Sequence, residues 1–201
     1  MSSSTATQYR QFQVDRHIIS RPNRYDIAEI GGDTAFYINV NVIKRKKPSL
    51  VLHAGPSIEA PIAAVCHFIK LGGHFKVGFG DPEKVDSVEW DDMTRQNVTA
   101  TEYRWETALA NGQGETQGER RTLTWKRTQS VSAEGLTVSA MPGRNYKLVD
   151  EKTGEILAVF TSKRTIRNCG TLEVRVNLGP AFDQLAVITC ISLYEKSRRD
   201  S

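Results

Sequence analysis

The feature that most constrains this chain is an apolar segment close to its C-terminus. From Leu185 to Leu193 only Thr189 and Ser192 interrupt the apolar run, and these two do not form a polar face. A helix that is apolar all round lies either in a membrane or inside protein. A segment of roughly 10–14 residues is too short to span a bilayer, so we expect a helix surrounded by protein. An alternative interpretation is one more buried strand, although the length and the alanine and cysteine content favour a helix.

Most of the chain before this segment shows the period-two alternation of half-buried strands. In residues 171–178, for example, Leu172 and Val174 are expected to face inward while Thr171 and Glu173 face outward. Residues 146–160 are typical of a hairpin with its turn at Lys152–Glu155. Further strands are predicted at or near residues 11–19, 26–30, 36–42, 50–54, 61–69, 75–79, 85–89, 97–106, 121–126 and 136–140.

These two patterns together predict one architecture. About a dozen short, evenly spaced strands indicate a β-sandwich or a barrel. A barrel of about eight strands is filled by its own side chains, whereas a helix about 10–12 Å across needs a wider ring. We therefore expect a mainly β fold, an antiparallel closed barrel of about twelve strands around a buried apolar C-terminal α-helix. Residues 1–10 and 198–201 are expected to be tails on a single domain spanning residues 11–197.

Several segments carry a resemblance to a known superfamily. They are the hairpin Tyr146–Phe160, the alternating strand after it and the segment Asp183–Tyr194. Together they resemble the tubby C-terminal-like superfamily, which includes tubby proteins, phospholipid scramblases and plant LURP-one-related proteins. Ser49–Ser57 and Pro61–Phe68 look like uncharacterised fungal members. The resemblance covers most of residues 25–197 and implies a twelve-stranded barrel threaded by a hydrophobic helix, with phosphoinositide headgroups bound by Lys and Arg in the tubby members.

Composition and charge limit the environments in which the chain is expected to work. Lys and Arg exceed Asp and Glu by 27 to 23, a mild excess that matters for anions only where it is concentrated. Three cysteines without metal-type spacing favour a reducing compartment. The polar start of the chain has no apolar signal region, so the expected location is cytoplasmic, with peripheral contact to membranes if lipid is the ligand.

The densest basic run is the candidate binding site. Lys44, Arg45, Lys46 and Lys47 follow the strand predicted at 36–42 and precede Pro48. Four cations on one connection could bind a phosphorylated headgroup or an anionic membrane, and the superfamily resemblance implies the same residues, without fixing the register. The alternative is a solvated turn. Arg120, Arg121, Lys126, Arg127, Lys163, Arg164 and Arg167 could extend the basic surface if their strands lie close together.

Other kinds of chemistry find little support in the sequence. No nucleophile elbow, Walker-type loop or metalloprotease helix is present, so we expect no enzyme activity and no cofactor. Cys66 and His67 are consecutive on a predicted strand and point to opposite faces, which argues against a shared metal. Glu89–Asp92 lacks the spacing of a calcium loop. Nucleic acid is disfavoured because the basic residues are not interleaved with aromatic ones.

The sequence thus favours a non-enzymatic, membrane-peripheral module that binds anionic phospholipid, phosphoinositide in particular, through Lys44–Lys47. The alternative is a protein-interaction scaffold with no lipid ligand. A lipocalin-like carrier is a weaker third possibility because the helix already occupies the interior of the barrel. The scramblase members carry acylated cysteine runs and a calcium-loop-like segment, and this chain has neither, which argues against lipid flipping.

Overall fold

The protein forms a closed antiparallel barrel of twelve strands with one C-terminal helix, as shown by a computed structural model. The structure describes residues 9–17, 23–41, 47–69, 73–83, 88–108, 120–137, 144–163, 165 and 167–199. Each strand pairs with its neighbours in sequence, and β1 closes the ring by pairing with β12. The elements are β1 (Arg10–His17), β2 (Arg24–Glu29), β3 (Thr34–Val40), β4 (Leu50–His53), β5 (Ile62–Phe68), β6 (Phe75–Phe79), β7 (Glu89–Arg95), β8 (Glu102–Ala108), β9 (Arg120–Arg127), β10 (Tyr146–Asp150), β11 (Ile156–Ser162), β12 (Asn168–Val174) and α1 (Pro180–Arg199).

The helix α1 fills the interior of this ring. Every residue from Leu185 to Glu195 is buried, which covers three turns and therefore all faces of the helix. Side chains from strands around the ring contact it. The indole N–H of Trp125 on β9 donates to Thr189 Oγ1 at 2.9 Å, and the ring of Tyr194 packs against Phe160 on β11 at 5.6 Å. The expected fold class is confirmed, whereas α1, with 20 residues, is longer than the predicted 10–14.

A buried carboxylate explains why the helix continues past its apolar segment. Glu195 has no exposed surface, and its Oε2 accepts a 2.6 Å hydrogen bond from the hydroxyl of Tyr25 on β2. Arg198 donates two hydrogen bonds to the same carboxylate, at 2.8 and 3.0 Å, and Arg199 donates one at 2.9 Å. Burial alone would raise the pKa of Glu195, but the hydrogen bonds from Arg198, Tyr25 and Arg199 outweigh it and lower this pKa to about 2. Glu195 therefore ties α1 to the barrel wall through Tyr25, while Arg198 and Arg199 on the same helix balance its charge.

The N-terminal end of α1 is held by a second ion pair. Asp183 Oδ2 lies 2.7 Å from Arg10 Nη1 at the start of β1. Arg10, which the sequence prediction placed in the tail, also pairs with Val174 of β12 and donates to the carbonyl of Val176. Burial raises the pKa of Asp183 to about 6, although the positive charge of Arg10 acts in the opposite direction.

The outer face of β12 is covered rather than exposed. Residues 129–137, which we call the strap, cross the outside of β11, β12 and β1. The amide of Glu134 donates to Glu173 Oε2, which also accepts a hydrogen bond from Gln11, while Arg175 Nε donates to Glu173 Oε1 at 2.8 Å. Glu173 is therefore fully buried although it points away from the helix.

Several strand boundaries differ from the sequence predictions, four of them in ways that matter for the surface. The predicted strand 85–89 ends where β7 begins, so the acidic residues from Glu89 to Asp92 belong to a strand. The predicted strand 97–106 begins too early, because residues 97–100 form a turn before β8. The last strand, predicted at 171–178, ends at Val174. Of the predicted strand 136–140, residues 136 and 137 lie outside any strand and 138–140 are not among the described residues.

The free energy of unfolding should fall with falling pH because of the buried Glu195 carboxylate. Because the folded protein lowers this pKa from its usual 4.5 to about 2, ionised Glu195 contributes about 3 kcal/mol above pH ~5, and this contribution is lost as the pH falls towards 2. We expect Glu195→Gln to lower the free energy of unfolding in urea by about this amount at pH 7, and the gap to close between pH 5 and pH 2. The exposed Glu155→Gln is the control; a gap for Glu195→Gln that stays constant with pH would contradict this account.

The three cysteines should be unreactive in the folded protein. Cys66, Cys169 and Cys190 are all buried, and burial raises the pKa of each thiol, that of Cys66 to about 12. We expect a maleimide at pH 7.5 to label none of them until denaturant is added. Rapid labelling of any one of them in the native protein would show that the barrel opens more readily than this packing allows.

Candidate anionic-surface site

The meander topology sorts the connections between strands into two sets. Odd-numbered strands run towards one end of the barrel and even-numbered strands return, because every pair of neighbours is antiparallel. We call the end that carries the β1–β2, β3–β4, β5–β6, β7–β8, β9–β10 and β11–β12 connections the basic end, and the opposite end the acidic end. The helix enters at the acidic end, where Asp183 meets Arg10, and its last turn lies at the basic end, where Arg199 packs over the ring of Phe68 on β5.

The charge on the described residues differs sharply between these ends. At the basic end, outside the strap, the described connections and the last helical turn contain basic side chains and no Asp or Glu. Of the residues that begin or end a strand there, Arg24, Arg95 and Arg127 are basic and Glu102 is acidic. The basic residues of the connections and the helix are Lys47, Arg144, Lys163, Arg167, Lys196, Arg198 and Arg199.

The opposite end carries the reverse charge. Its described connections hold Lys152 and Arg175 as their basic residues, and Arg175 is paired with the buried Glu173. Their acidic residues are Asp33, Glu59, Asp81, Glu83, Glu151 and Glu155. The small net charge of the whole chain therefore conceals a separation of charge along the barrel axis.

The predicted site residues fall at the basic end as far as the structure describes them. Lys47 is exposed and precedes β4, whereas Lys44, Arg45 and Lys46 lie outside the described residues. By sequence they belong to the β3–β4 connection. In the sequence, the parts of these connections that the structure does not describe also contain Arg21, Lys70 and Arg164 and no acidic residue.

Five of the other basic residues singled out from the sequence are divided between the two ends. Of the remaining two, Lys126 lies 3.8 Å from the carboxylate of Glu151, and Arg164 is outside the described residues. Arg127, Lys163 and Arg167 are exposed at the basic end. Arg120 and Arg121 lie at the acidic end of β9, where Arg121 Nη1 is 3.3 Å from Asp150 Oδ2 and Arg120 Nη2 is 3.7 Å from Asp91 Oδ1. Since a β-strand rises about 3.3 Å per residue, the seven steps from Arg120 to Arg127 carry these cations to opposite ends of the barrel.

Among the described residues of the basic end, two large apolar side chains are exposed. Val98, on the β7–β8 turn, is 91% exposed, and Ile69, after β5, is 36% exposed. The turn is ordered by Asn97, whose Oδ1 accepts from the Thr101 amide at 2.9 Å and whose Nδ2 donates to Thr101 Oγ1 at 2.7 Å. Ala100 in the same turn has a φ of 53°, a left-handed conformation that is unusual for a residue other than glycine.

A small pocket lies between this turn and the end of the helix. It has a volume of about 180 Å³, and Arg127 and Lys196 contribute its cations. The other lining residues are Thr99, Ala100, Tyr103, Tyr146, Leu193 and Ser197. The pocket therefore combines two positive charges with partly apolar walls. Sequence reasoning missed it because its residues come from four separate segments of the chain.

Away from the basic end, the described residues form a polar groove. Among all the described residues, no group of three His, Cys, Asp or Glu side chains could hold a metal. A groove of about 360 Å³ lies on β7 and β8, next to the exposed ring of Trp90. Two of its carboxylates lie near cations, Asp92 3.7 Å from Lys76 and Asp91 3.7 Å from Arg120. Burial raises the pKa of Asp91, although Thr107 and Arg120 act in the opposite direction.

The comparisons with known proteins support the fold. A LURP-one-related protein of Arabidopsis thaliana, solved by X-ray crystallography, superposes with a TM-score of 0.52 at 12% sequence identity, over 94% of this chain and 93% of that chain. At this identity the match shows a shared fold, namely the barrel implied by the resemblance to the tubby-like superfamily. No protein-family model matches the chain. No curated protein matches it either.

No helix in the described part of the chain is long and apolar enough to cross a bilayer. The apolar stretch of α1 is instead enclosed by the twelve strands.

The Asn97 contacts should be needed to hold the β7–β8 turn. Removing an amide that makes several hydrogen bonds costs about 1–2 kcal/mol. We expect Asn97→Ala to lower the free energy of unfolding by this amount and to speed hydrogen exchange at the Thr101 amide. Val98→Ala, which removes an exposed side chain from the same turn, is expected to change neither quantity; equal effects of the two substitutions would contradict the role of Asn97.

Proposed function

We propose that this protein is a non-enzymatic module that binds anionic phospholipid at a membrane surface through the basic end of its barrel. The supporting observation is the separation of charge between the two ends. A cationic end attracts a negative surface while the acidic end is repelled, so the field both draws the protein to the membrane and orients it.

The charges of the basic end are available to a surface of opposite sign. Lys47, Arg95, Arg127, Lys163 and Arg167 are exposed. The two arginines of the last helical turn share their charge with Glu195, which leaves one net positive charge in that cluster. A basic residue close to an anionic membrane contributes about a fivefold gain in binding. The exposed residues of this end thus suffice for strong, salt-sensitive attachment.

The run Lys44–Lys47 is proposed as the part of this surface that selects the headgroup. Four consecutive cations concentrate more positive charge than any other connection in the sequence. A phosphoinositide headgroup carries several phosphate groups and can engage more than one of these side chains at once, whereas phosphatidylserine offers one net negative charge. We therefore propose that the module prefers phosphoinositide to phosphatidylserine.

A protein-interaction role is the competing function. The groove beside Trp90 favours it, because a half-exposed indole next to mixed charges is a common feature of protein interfaces. Membrane binding is preferred because the groove has little net charge, whereas the basic end carries a consistent one.

Vesicle co-sedimentation tests the proposal. We expect the protein to bind vesicles of phosphatidylcholine with phosphatidylserine, to bind more tightly when phosphatidylinositol 4,5-bisphosphate is included, and not to bind phosphatidylcholine alone. Changing Lys44, Arg45, Lys46 and Lys47 to Gln is expected to weaken binding by about a hundredfold or more.

The control is Lys152→Gln at the acidic end, which should bind as wild type does. Folded wild-type protein that fails to bind every anionic vesicle would overturn the lipid function and favour a protein partner. Equal binding to phosphatidylserine and phosphoinositide vesicles of the same total charge would overturn the phosphoinositide preference alone.

A further inference from the structure

The β7–β8 turn and the end of the helix form a second, distinct feature of the basic end. The pocket described above is bounded by Thr99 and Ala100 of the turn and by Leu193, Lys196 and Ser197 of the helix. Val98 directly precedes Thr99 in this turn, and its side chain is 91% exposed. None of these residues belongs to the Lys44–Lys47 run.

The chemistry of the pocket suits one end of an amphiphile. Arg127 and Lys196 supply positive charge, and Leu193, Tyr103 and Tyr146 supply apolar or aromatic surface. The C-terminus of a helix carries partial negative charge and by itself disfavours an anion, but the cations of the last turn of α1 offset it. At about 180 Å³ the pocket is smaller than the 300–1,000 Å³ typical of sites that enclose a whole ligand. It can therefore hold a phosphate group and part of its headgroup, with the rest of the lipid outside.

The turn beside the pocket is built to present an apolar side chain. An isolated exposed valine needs no explanation, but this one stands on a turn fixed by Asn97 and by the left-handed Ala100. Left-handed backbone at a residue other than glycine is costly, and it tends to persist at ligand and switch sites. Ile69 projects from the same end, so the basic surface carries more than one apolar tip.

We propose that the pocket between the β7–β8 turn and the helix end binds the phosphate-bearing headgroup of one anionic membrane lipid, and that Val98 enters the acyl layer beside it. The proposal rests on the membrane function above and adds a specific site and an orientation to it. The barrel axis is perpendicular to the membrane surface. The basic end contacts the membrane, and the acidic end faces the solvent. A free phosphate would use the two cations of the pocket but would leave Val98 in water, so the occupant is a lipid in a bilayer.

Site-specific fluorescence tests the orientation. Val98→Cys and Ile58→Cys each add one thiol, at the basic and the acidic end respectively, and Ile58 is 45% exposed. The native cysteines are buried, so a polarity-sensitive maleimide dye labels the new site. We expect phosphatidylserine vesicles to shift the emission of the dye at residue 98 to the blue and to leave that at residue 58 unchanged. Phosphatidylcholine vesicles with added inorganic phosphate should shift neither.

The outcomes separate the two proposals. Vesicle binding by sedimentation without a blue shift at residue 98, or with a shift at residue 58, would overturn this site and leave the membrane function standing. The absence of any vesicle binding would overturn the membrane function itself. A shift produced at residue 98 by inorganic phosphate without anionic lipid would show that the pocket responds to a free anion and would overturn the lipid assignment.

Substitution tests the pocket. We expect Arg127→Gln with Lys196→Gln to weaken binding to phosphatidylserine vesicles by about tenfold or more. Because Lys196 lies in the helix, a thermal melt must show that this variant stays folded.

Val98→Asp provides a second test. The Val98 side chain is almost fully exposed, so this substitution should weaken vesicle binding without changing the melting temperature. Ile58→Asp at the acidic end is the matched control and should bind as wild type does. Wild-type affinity in both Val98→Asp and the double variant would contradict the proposal.

Discussion

The contact on which the architecture depends is the burial of Glu195 between the barrel wall and the last helical turn. A wide ring of twelve strands would leave a cavity without the helix, and an apolar helix would be exposed without the ring. The hydrogen bond from the Tyr25 hydroxyl to Glu195 and the packing of Arg199 over Phe68 fix the helix at one end, as the ion pair between Arg10 and Asp183 does at the other. These polar ties set the axial position of a helix whose apolar faces could otherwise slide.

A helix held in this way has consequences for the surface. Its last turn places Lys196, Arg198 and Arg199 at the end of the barrel where the described connections are already basic. The meander topology separates the other charges, because each connection lies at the opposite end from the one before it. Basic residues on one set of connections and acidic residues on the other set are therefore separated in space. The proposed function follows from this segregation more than from any single residue.

Much of the fold could be predicted because its causes are local in sequence. The alternation in residues 36–42 and 75–79 identified β3 and β6, and the uninterrupted apolar run identified the helix. The helix was predicted too short because Glu195 resembles a polar end; its burial depends on Tyr25, 170 positions away. Similarly, the acidic side chains of β7 disguise the alternation that identifies a strand. Nothing near Glu173 in the sequence indicates that the strap covers it. The candidate site was predicted only as the run Lys44–Lys47, since the wider basic end emerges once the course of each strand is known.

The central claim is that the barrel meets an anionic membrane with its basic end. Nuclear magnetic resonance on amide-labelled protein, bound to phosphatidylserine nanodiscs that contain a lipid with a chelated gadolinium headgroup, measures this directly. The account predicts the strongest signal loss at residues 96–101, at Lys163 and Arg167, and in the last turn of α1, with little change at residues 30–33 and 54–61. Signal loss concentrated in those acidic-end segments, or spread evenly over the barrel, would contradict it.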